Sequence, residues 1–282
     1  MEKTVMDTIC SSFDNFFDSE KKIAKYIINH YDDVVEMTVG DLASASGASE
    51  ASVSRFCRKI GVKGFHHLKI SLAKEMVESD TPEVKVTNHI SADDISQSLQ
   101  NILANKVEEL KQTVSMMDND KLHDILNVIL KARNVQFVAV GNTVPVAIDG
   151  AFKLNEIGIA SVASTIWENQ IGFIYNLTNQ DVVISISNSG ESRGVITAIK
   201  AAKEVGAITI SITNNEKSTV ALASDYHITT ATREKLFLDG YCFSRVSATT
   251  VIEILYLFLT SMKEDAYKCI ARHENAIAGD KF

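Results

Sequence analysis

Apolar and polar residues change their spacing along this chain, and the changes predict its elements. Up to about residue 80 the apolar positions recur every three or four residues, the period of helices packed on one another. Ile23, Ala24, Tyr26, Ile27 and Ile28 form one such stripe, opened by Ser19-Glu-Lys-Lys22 and ended before Tyr31. Thr38, with Asp41 three residues on, reads as the cap of a short helix over 39–44. Ala45-Ser-Gly47-Ala48 follows, and Ser49 then caps a longer helix that runs to Ile60 and is closed by Gly61. A short helix, a glycine turn and a longer helix predict a helix-turn-helix. In the longer helix Val53, Phe56, Cys57 and Ile60 share the face expected to pack inward. Ser52, Ser54, Arg55, Arg58 and Lys59 fall on the other faces.

Ser79 to His89 has no period and is expected to be a linker. Helices are predicted from Ser91-Ala-Asp-Asp94, with apolar Ile95, Leu99, Ile102, Leu103, Val107, Leu110 and Val114, and from Asp118 to Lys131. Both are expected to cover a sheet or pack against a second subunit. Beyond them the pattern switches to short stretches rich in β-branched and other apolar residues at 135–140, 182–186 and 207–212, with shorter ones at 159–162 and 226–229. Such runs suit strands buried on both faces of a parallel sheet. Helical segments at 146–156, 169–176, 195–203, 218–223 and 245–262 alternate with them. The expected architecture is an all-α helix-turn-helix domain over 1–78, a linker over 79–92 and an α/β doubly wound domain with a parallel sheet over 93–282. Ligands in such sheets bind at the carboxyl ends of the strands.

The composition is that of an ordinary globular protein, 45% hydrophobic and 23% charged, and 282 residues suit two domains. The first residues contain no apolar core of a signal peptide, and the run from Val251 to Met262 is short and broken by Glu253. A cytoplasmic protein without membrane contact is expected. Cys10, Cys57, Cys242 and Cys269 form no C-x-x-C pair, which fits reduced thiols better than disulfides or a metal site. A net charge of −8 argues against general affinity for nucleic acid, but it hides a local exception. Between Ala51 and Lys74 stand Arg55, Arg58, Lys59, Lys63, Lys69 and Lys74, with no Asp or Glu. That is the pattern of a phosphate-backbone footprint. Ser49, Ser52 and Ser54 beside Arg55 suit the start of a helix whose first turns reach base edges. The plain alternative is a solvated basic helix.

A second concentration of chemistry is Asp181-Val-Val-Ile-Ser-Ile-Ser-Asn-Ser-Gly-Glu-Ser192, a buried strand that breaks into small polar residues just before a helix. Gly141-Asn142-Thr143 repeats the arrangement after 135–140. Backbone N–H groups and a helix dipole then converge on a point that holds an anion well, phosphate above all. Capping alone explains small polar residues there too. No G-x-G-x-x-G or P-loop occurs, which weighs against a nucleotide. Glu156, Glu168, Glu234, Glu253 and His227 are the groups a sugar isomerase would draw on as base or ring-opening acid. None sits in a catalytic motif, and Glu253 is expected to pair with Arg245 or meet another subunit.

The stretch Asp41-Leu-Ala-Ser-Ala-Ser-Gly-Ala-Ser-Glu-Ala-Ser-Val-Ser-Arg-Phe-Cys-Arg-Lys-Ile-Gly-Val-Lys-Gly-Phe65 resembles the helix-turn-helix of RpiR-type transcriptional regulators. The Ser187–Ser192 stretch and its flanks resemble the sugar isomerase (SIS) domain that those regulators carry, in the same order along nearly the whole chain. The resemblance implies a regulator without cofactor or catalysis, with a double-stranded DNA operator and a sugar phosphate effector as partners. It further implies that Ser187, Asn188, Ser189, Gly190 and Ser192 surround the phosphate and that Asn142 and Thr143 form a second wall. DNA contacts would fall to Ser49, Ser52, Ser54, Arg55, Arg58, Lys59 and Lys63. A homodimer or homotetramer reading a roughly palindromic site is expected. Two departures stand out: Ala139-Val-Gly141-Asn-Thr143 replaces the usual Gly-x-Gly-x-Ser, and Ser192 replaces threonine.

Overall fold

The computed structural model describes residues 4–78, 90–232 and 244–280. Residues 79–89 of the expected linker, Glu234 and Cys242 therefore lie outside the described residues. Contacts divide the chain into two units, the first taking in the described residues up to Met116 with Ala231, Thr232 and Ser244. It opens with α1 (Val5–Ser12), α2 (Asp18–Asn29), α3 (Tyr31–Val34), α4 (Val39–Ser46), α5 (Glu50–Lys59) and α6 (Phe65–Glu78). Ile23, Ile27, Leu42, Phe56, Leu68 and Leu72 are fully buried in one cluster. Each such side chain contributes roughly 1.5–3 kcal/mol of burial. Cys10 and Cys57 lie in it outside any disulfide, and burial pushes the Cys57 thiol up to about 11.

Helix α7 (Ile95–Ser115) starts where Asp94 accepts the Gln97 N–H at 3.1 Å. Its burial runs against its pattern. Ser98, Asn101, Asn105, Glu109 and Gln112 are buried, while Ile95, Leu99, Leu103, Val107 and Val114 are exposed. The apolar stripe expected to be covered is open. Thr113 accepts the Ala231 N–H at 3.0 Å, and Lys106 reaches Ser244 at 2.9 Å and Glu109 at 2.7 Å.

The second unit opens with α8 (Asn119–Lys131), then alternates strand and helix. In order come β1 (Val135–Ala139), α9 (Val144–Glu156), β2 (Ser161–Val162), α10 (Trp167–Ile174), β3 (Val182–Ile186), α11 (Arg193–Glu204), β4 (Ile208–Thr213), α12 (Thr219–Ala223) and β5 (Tyr226–Thr229). Helices α13 (Val246–Met262) and α14 (Ala266–Ile277) complete it. All strands are parallel in the order β2-β1-β3-β4-β5, with Val135 beside Val182 and Val182 beside Ile208. Every residue of β1 and β3 is buried, including Gln136 and Ser185, which explains how apolar their sequences are. Chain direction across the sheet reverses between β1 and β3, because β1 leads outward to β2 and β3 leads the other way. That switch point is where open α/β sheets bind ligands.

Opposite the switch point, at the start of β3, Asp181 is fully buried and holds the strand ends together. Arg133 donates to it at 3.0 and 2.6 Å, Asn134 at 3.0 Å and the Thr178 N–H at 2.7 Å. Burial alone would raise its pKa, but the bonds from Arg133, Thr178 and Asn134 outweigh it and hold the carboxyl at about 2. No single helix among the described residues is long and apolar enough to cross a membrane.

Candidate functional site

The helix-turn-helix is set by local bonds. Thr38 accepts the Asp41 N–H at 3.2 Å, and Asp41 accepts the Thr38 N–H at 2.9 Å and its hydroxyl at 2.6 Å. Those bonds hold the Asp41 carboxyl below the usual carboxylate range. Gly47 ends α4 at φ 64°, a left-handed turn that a side chain would strain. Ser49 then caps α5 by accepting the Ser52 N–H at 3.2 Å. Val53, Phe56, Cys57 and Ile60 point inward as the pattern predicts.

The residues expected to meet DNA divide into two sets. Ser49, Ser54, Arg55, Arg58 and Lys63 are exposed. Arg55 leans on the Ser52 hydroxyl at 3.3 Å and Arg58 on the Ser54 carbonyl at 3.4 Å, weak tethers that leave both heads at the surface. Ser52 is instead buried, its hydroxyl 2.9 Å from that of Ser49. Lys59 turns back into its own unit, 2.6 Å from Glu20 and 3.0 Å from the Asn15 carbonyl, over the rings of Phe16 and Phe17. Lys69 likewise donates to the Met37 carbonyl at 2.9 Å.

In the second unit the two turns stand side by side at the carboxyl ends of β1 and β3. Gly141 takes φ 64° to leave β1, and the buried Thr143 hydroxyl donates to the Ile186 carbonyl at 3.0 Å, tying one turn to the other. Ser187 is buried, Asn188, Ser189 and Ser192 are half-buried, and Asn142 is exposed. The Gly190 N–H donates to the Ser187 carbonyl at 3.1 Å, and the Ser189 hydroxyl accepts the Glu191 N–H at 3.3 Å.

One contrast bears on the capping alternative. Thr4, Thr38, Ser49, Asp94, Asp118 and Ser218 each cap their helix with the side chain. Thr143 before α9 and Ser192 before α11 do not. At the switch point, then, neither N-cap residue caps with its side chain, and both helices begin directly after the strands' carboxyl ends.

The Ser187–Ser192 loop is held from behind by the turn after β4. The Asn214 N–H donates to the Asn188 carbonyl and the Val220 N–H to the Gly190 carbonyl, each at 2.9 Å. Glu191 accepts the Thr219 N–H at 3.1 Å and its hydroxyl at 2.6 Å. Gly190 sits at φ 70°, and a Cβ on it would lie 2.1 Å from the Ser218 hydroxyl. Reading the sequence missed this support. Its only signal was Thr213-Asn-Asn, a third small polar turn after a strand.

Three of the groups an isomerase would use, Glu253, Glu156 and His227, have other neighbours. Glu253 pairs with Lys153 at 2.8 Å rather than with Arg245, because α13 packs along α9. Glu156 faces His273 at 3.7 Å, and His227 lies 2.9 Å from the Thr213 hydroxyl. Glu156, His273 and Glu274 bring metal-ligand atoms within 4.8 Å of one another. They do so at the far end of α9 from the Gly141 turn.

Comparison with known proteins bears on both units. Residues 3–79 match the helix-turn-helix domain of the rpiR family, and residues 128–258 match the SIS domain. An uncharacterized HTH-type transcriptional regulator of Caldanaerobacter subterraneus is 34% identical over 92% of this chain and 91% of its own. The Vibrio vulnificus NanR protein, solved in complex with ManNAc-6P, aligns over 98% of each chain with a TM-score of 0.59 and 21% identity. The sugar isomerase domain of an RpiR transcription factor from Sphaerobacter thermophilus covers 64% of this chain and 99% of its own, with a TM-score of 0.59 and 23% identity. These structural likenesses concern the fold.

Proposed function

The chain belongs to the RpiR family of helix-turn-helix transcriptional regulators, and on that premise we propose that it binds a DNA operator under control of a phosphorylated sugar. In this reading residues 1–78 contact the operator, 79–92 link and 93–282 bind the effector, in the cytoplasm. The observation that carries the effector half is the pair of helix N-termini, α9 and α11, without side-chain caps on either side of the β1/β3 switch point. A dianionic phosphate leaving water needs several donors to replace its hydration. First-turn N–H groups and the hydroxyls of Ser187, Ser189 and Ser192 supply them, with Asn142 on the facing wall. Thr143 supports that wall through Ile186. The SIS relative NanR, solved with ManNAc-6P, fits a ligand of this class.

On the DNA side, Arg55, Arg58 and Lys63 are placed for backbone and base contacts, with Ser49 and Ser54 at the helix start. Two copies related by a dyad would read half-sites one helical turn or a multiple apart, ~34 Å per turn. A regulator rather than an isomerase is favoured by the engaged state of Glu156, Glu253 and His227. The test is a thermal-shift screen of sugar phosphates, where a ligand at a hundred times its Kd adds about 2.7 kcal/mol of stability. It is run beside a gel shift on duplexes selected from a random library. Turnover of a sugar phosphate without selected DNA binding would refute the reading.

A further inference from the structure

Helix α14 brings an imidazole and a carboxylate up to the last residue of α9. Glu156 ends α9, and His273 and Glu274 are neighbours on α14, all within the second unit. A carboxylate oxygen from each glutamate and a ring nitrogen of His273 lie within 4.8 Å of one another. Gly158, two residues past Glu156, lets α14 come this close: a Cβ there would stand 2.6 Å from the Sγ of Cys269, one turn before His273. The His273 ring meets Phe152 of α9 edge-on, with centroids 5.8 Å apart.

One atom separates an ion site from an ordinary ion pair. Nδ1 of His273 is closed to water and has no hydrogen-bond partner among the described residues. Oε1 of Glu156 lies 3.7 Å from it, beyond hydrogen-bond reach, whereas a charged nitrogen and a carboxylate in contact close to ~2.7–2.9 Å. Two atoms that each stand ~2.0–2.2 Å from one ion are roughly 3–4 Å from each other. The spacing is too long for a bond and right for a shared ion. Charge agrees, because the two carboxylates sit where the carbonyls ending α9 add negative potential. Lys153 and Lys263 stand near this end of α9 but pair with Glu253 and Asp265.

We propose that Glu156, His273 and Glu274 bind a zinc-type dication that clamps α14 to α9, at the end of α9 remote from the Gly141 turn. His273 would be neutral and give the lone pair of Nδ1. Glu274 is exposed, so its side chain has room to close on the ion. One imidazole nitrogen among carboxylate oxygens suits zinc better than magnesium or calcium, which take oxygen ligands.

The full chain, stripped with chelator, is titrated with zinc chloride in a calorimeter at neutral pH. Uptake of one zinc ion per chain is expected, with magnesium giving no comparable heat and zinc raising the thermal midpoint. His273→Ala and Glu274→Gln should each weaken zinc binding ~10–100-fold or more, since even partners outside the ligand shell carry that much. Glu274 is exposed, so Glu274→Gln leaves the fold intact, and an unchanged midpoint in chelator confirms it. Cys269→Ser should keep parental zinc affinity, which separates this site from capture by the nearby thiol. No zinc uptake by the parent would overturn the proposal. Parental affinity in either His273→Ala or Glu274→Gln, or loss of binding in Cys269→Ser, would overturn it equally, because the ion would then be held by other atoms.

Discussion

Gly190→Ala tests how the Ser187–Ser192 loop is built. At φ 70° an alanine enters the left-handed region at a cost of about 1–2 kcal/mol. Its Cβ would also lie 2.1 Å from the Ser218 hydroxyl and 2.3 Å from the Ser218 Cβ, so Ser218 has to move. Ser218 caps α12 through the Ala221 N–H, and loss of such a cap costs about 0.5–2 kcal/mol. The sum is about 2–4 kcal/mol, read as a lowered denaturation midpoint. Ser218→Gly alone should cost only a few tenths, ~0.3 kcal/mol, because glycine is tolerated at a cap. It also removes the atoms in conflict. The double variant should therefore be more stable than Gly190→Ala alone by roughly 1–2 kcal/mol, a coupling expected only of residues in contact. Urea unfolding of the four proteins at neutral pH measures it. Strict additivity, or a single-variant cost below about 1 kcal/mol, would refute the argument that Gly190 is required by Ser218.

Three further outcomes follow from the same geometry. Ser187→Ala/Ser189→Ala should weaken binding of the sugar phosphate found in the screen by about two orders of magnitude, at ~1.5–3 kcal/mol per bond to a charged group. Its operator affinity without effector should not change; calorimetry showing parental effector affinity would sink the phosphate assignment. Arg55→Ala and Arg58→Ala should each cost ~1–3 kcal/mol of operator affinity if they read bases, or shallow the salt slope if they meet phosphates. Parental binding by both variants across salt concentrations would remove α5 from the interface. The buried Asp181 carboxyl is held at about 2, below its unfolded value near 3.8, so its stabilisation is complete above pH 4 and lost as pH falls through 2. That is worth about 2 kcal/mol, and Asp181→Asn should flatten the acid limb of the stability curve; an unchanged limb would show that other carboxylates dominate it.

The parts legible in the sequence were those whose chemistry is local. Thr38 with Asp41, Gly47 and Ser49 announced their caps and turn because each bond spans at most five residues. Strands β1, β3 and β4 were legible because burial on both faces selects short stretches of β-branched and apolar residues without charge. At the sheet edge β2 shrank from an expected 159–162 to Ser161–Val162, having only β1 to pair with. Helix α14 went unread; of its residues only Ala266 is buried. Lys59 looked like one more surface cation because its partner Glu20 lies 39 positions away, and Thr143 was read for its hydroxyl although that hydroxyl donates to the carbonyl of Ile186, 43 positions on. The period of α7 was correct, and the stripe it predicted is exposed in the single chain. Spacing shows that a face needs covering and says nothing about which chain supplies the cover.

The three contacts behind the Ser187–Ser192 loop also bear on the speed of sensing. Main-chain torsions that stay free until a ligand arrives cost ~1–2 kcal/mol per residue to order at that moment. Here Asn214, Val220 and Thr219 hold the loop from behind, so a phosphate bound as proposed would meet donors already in position. A fragment as small as inorganic phosphate can then dock without waiting for the loop to close. Differences in affinity among effectors should consequently appear in how slowly they leave rather than in how quickly they arrive.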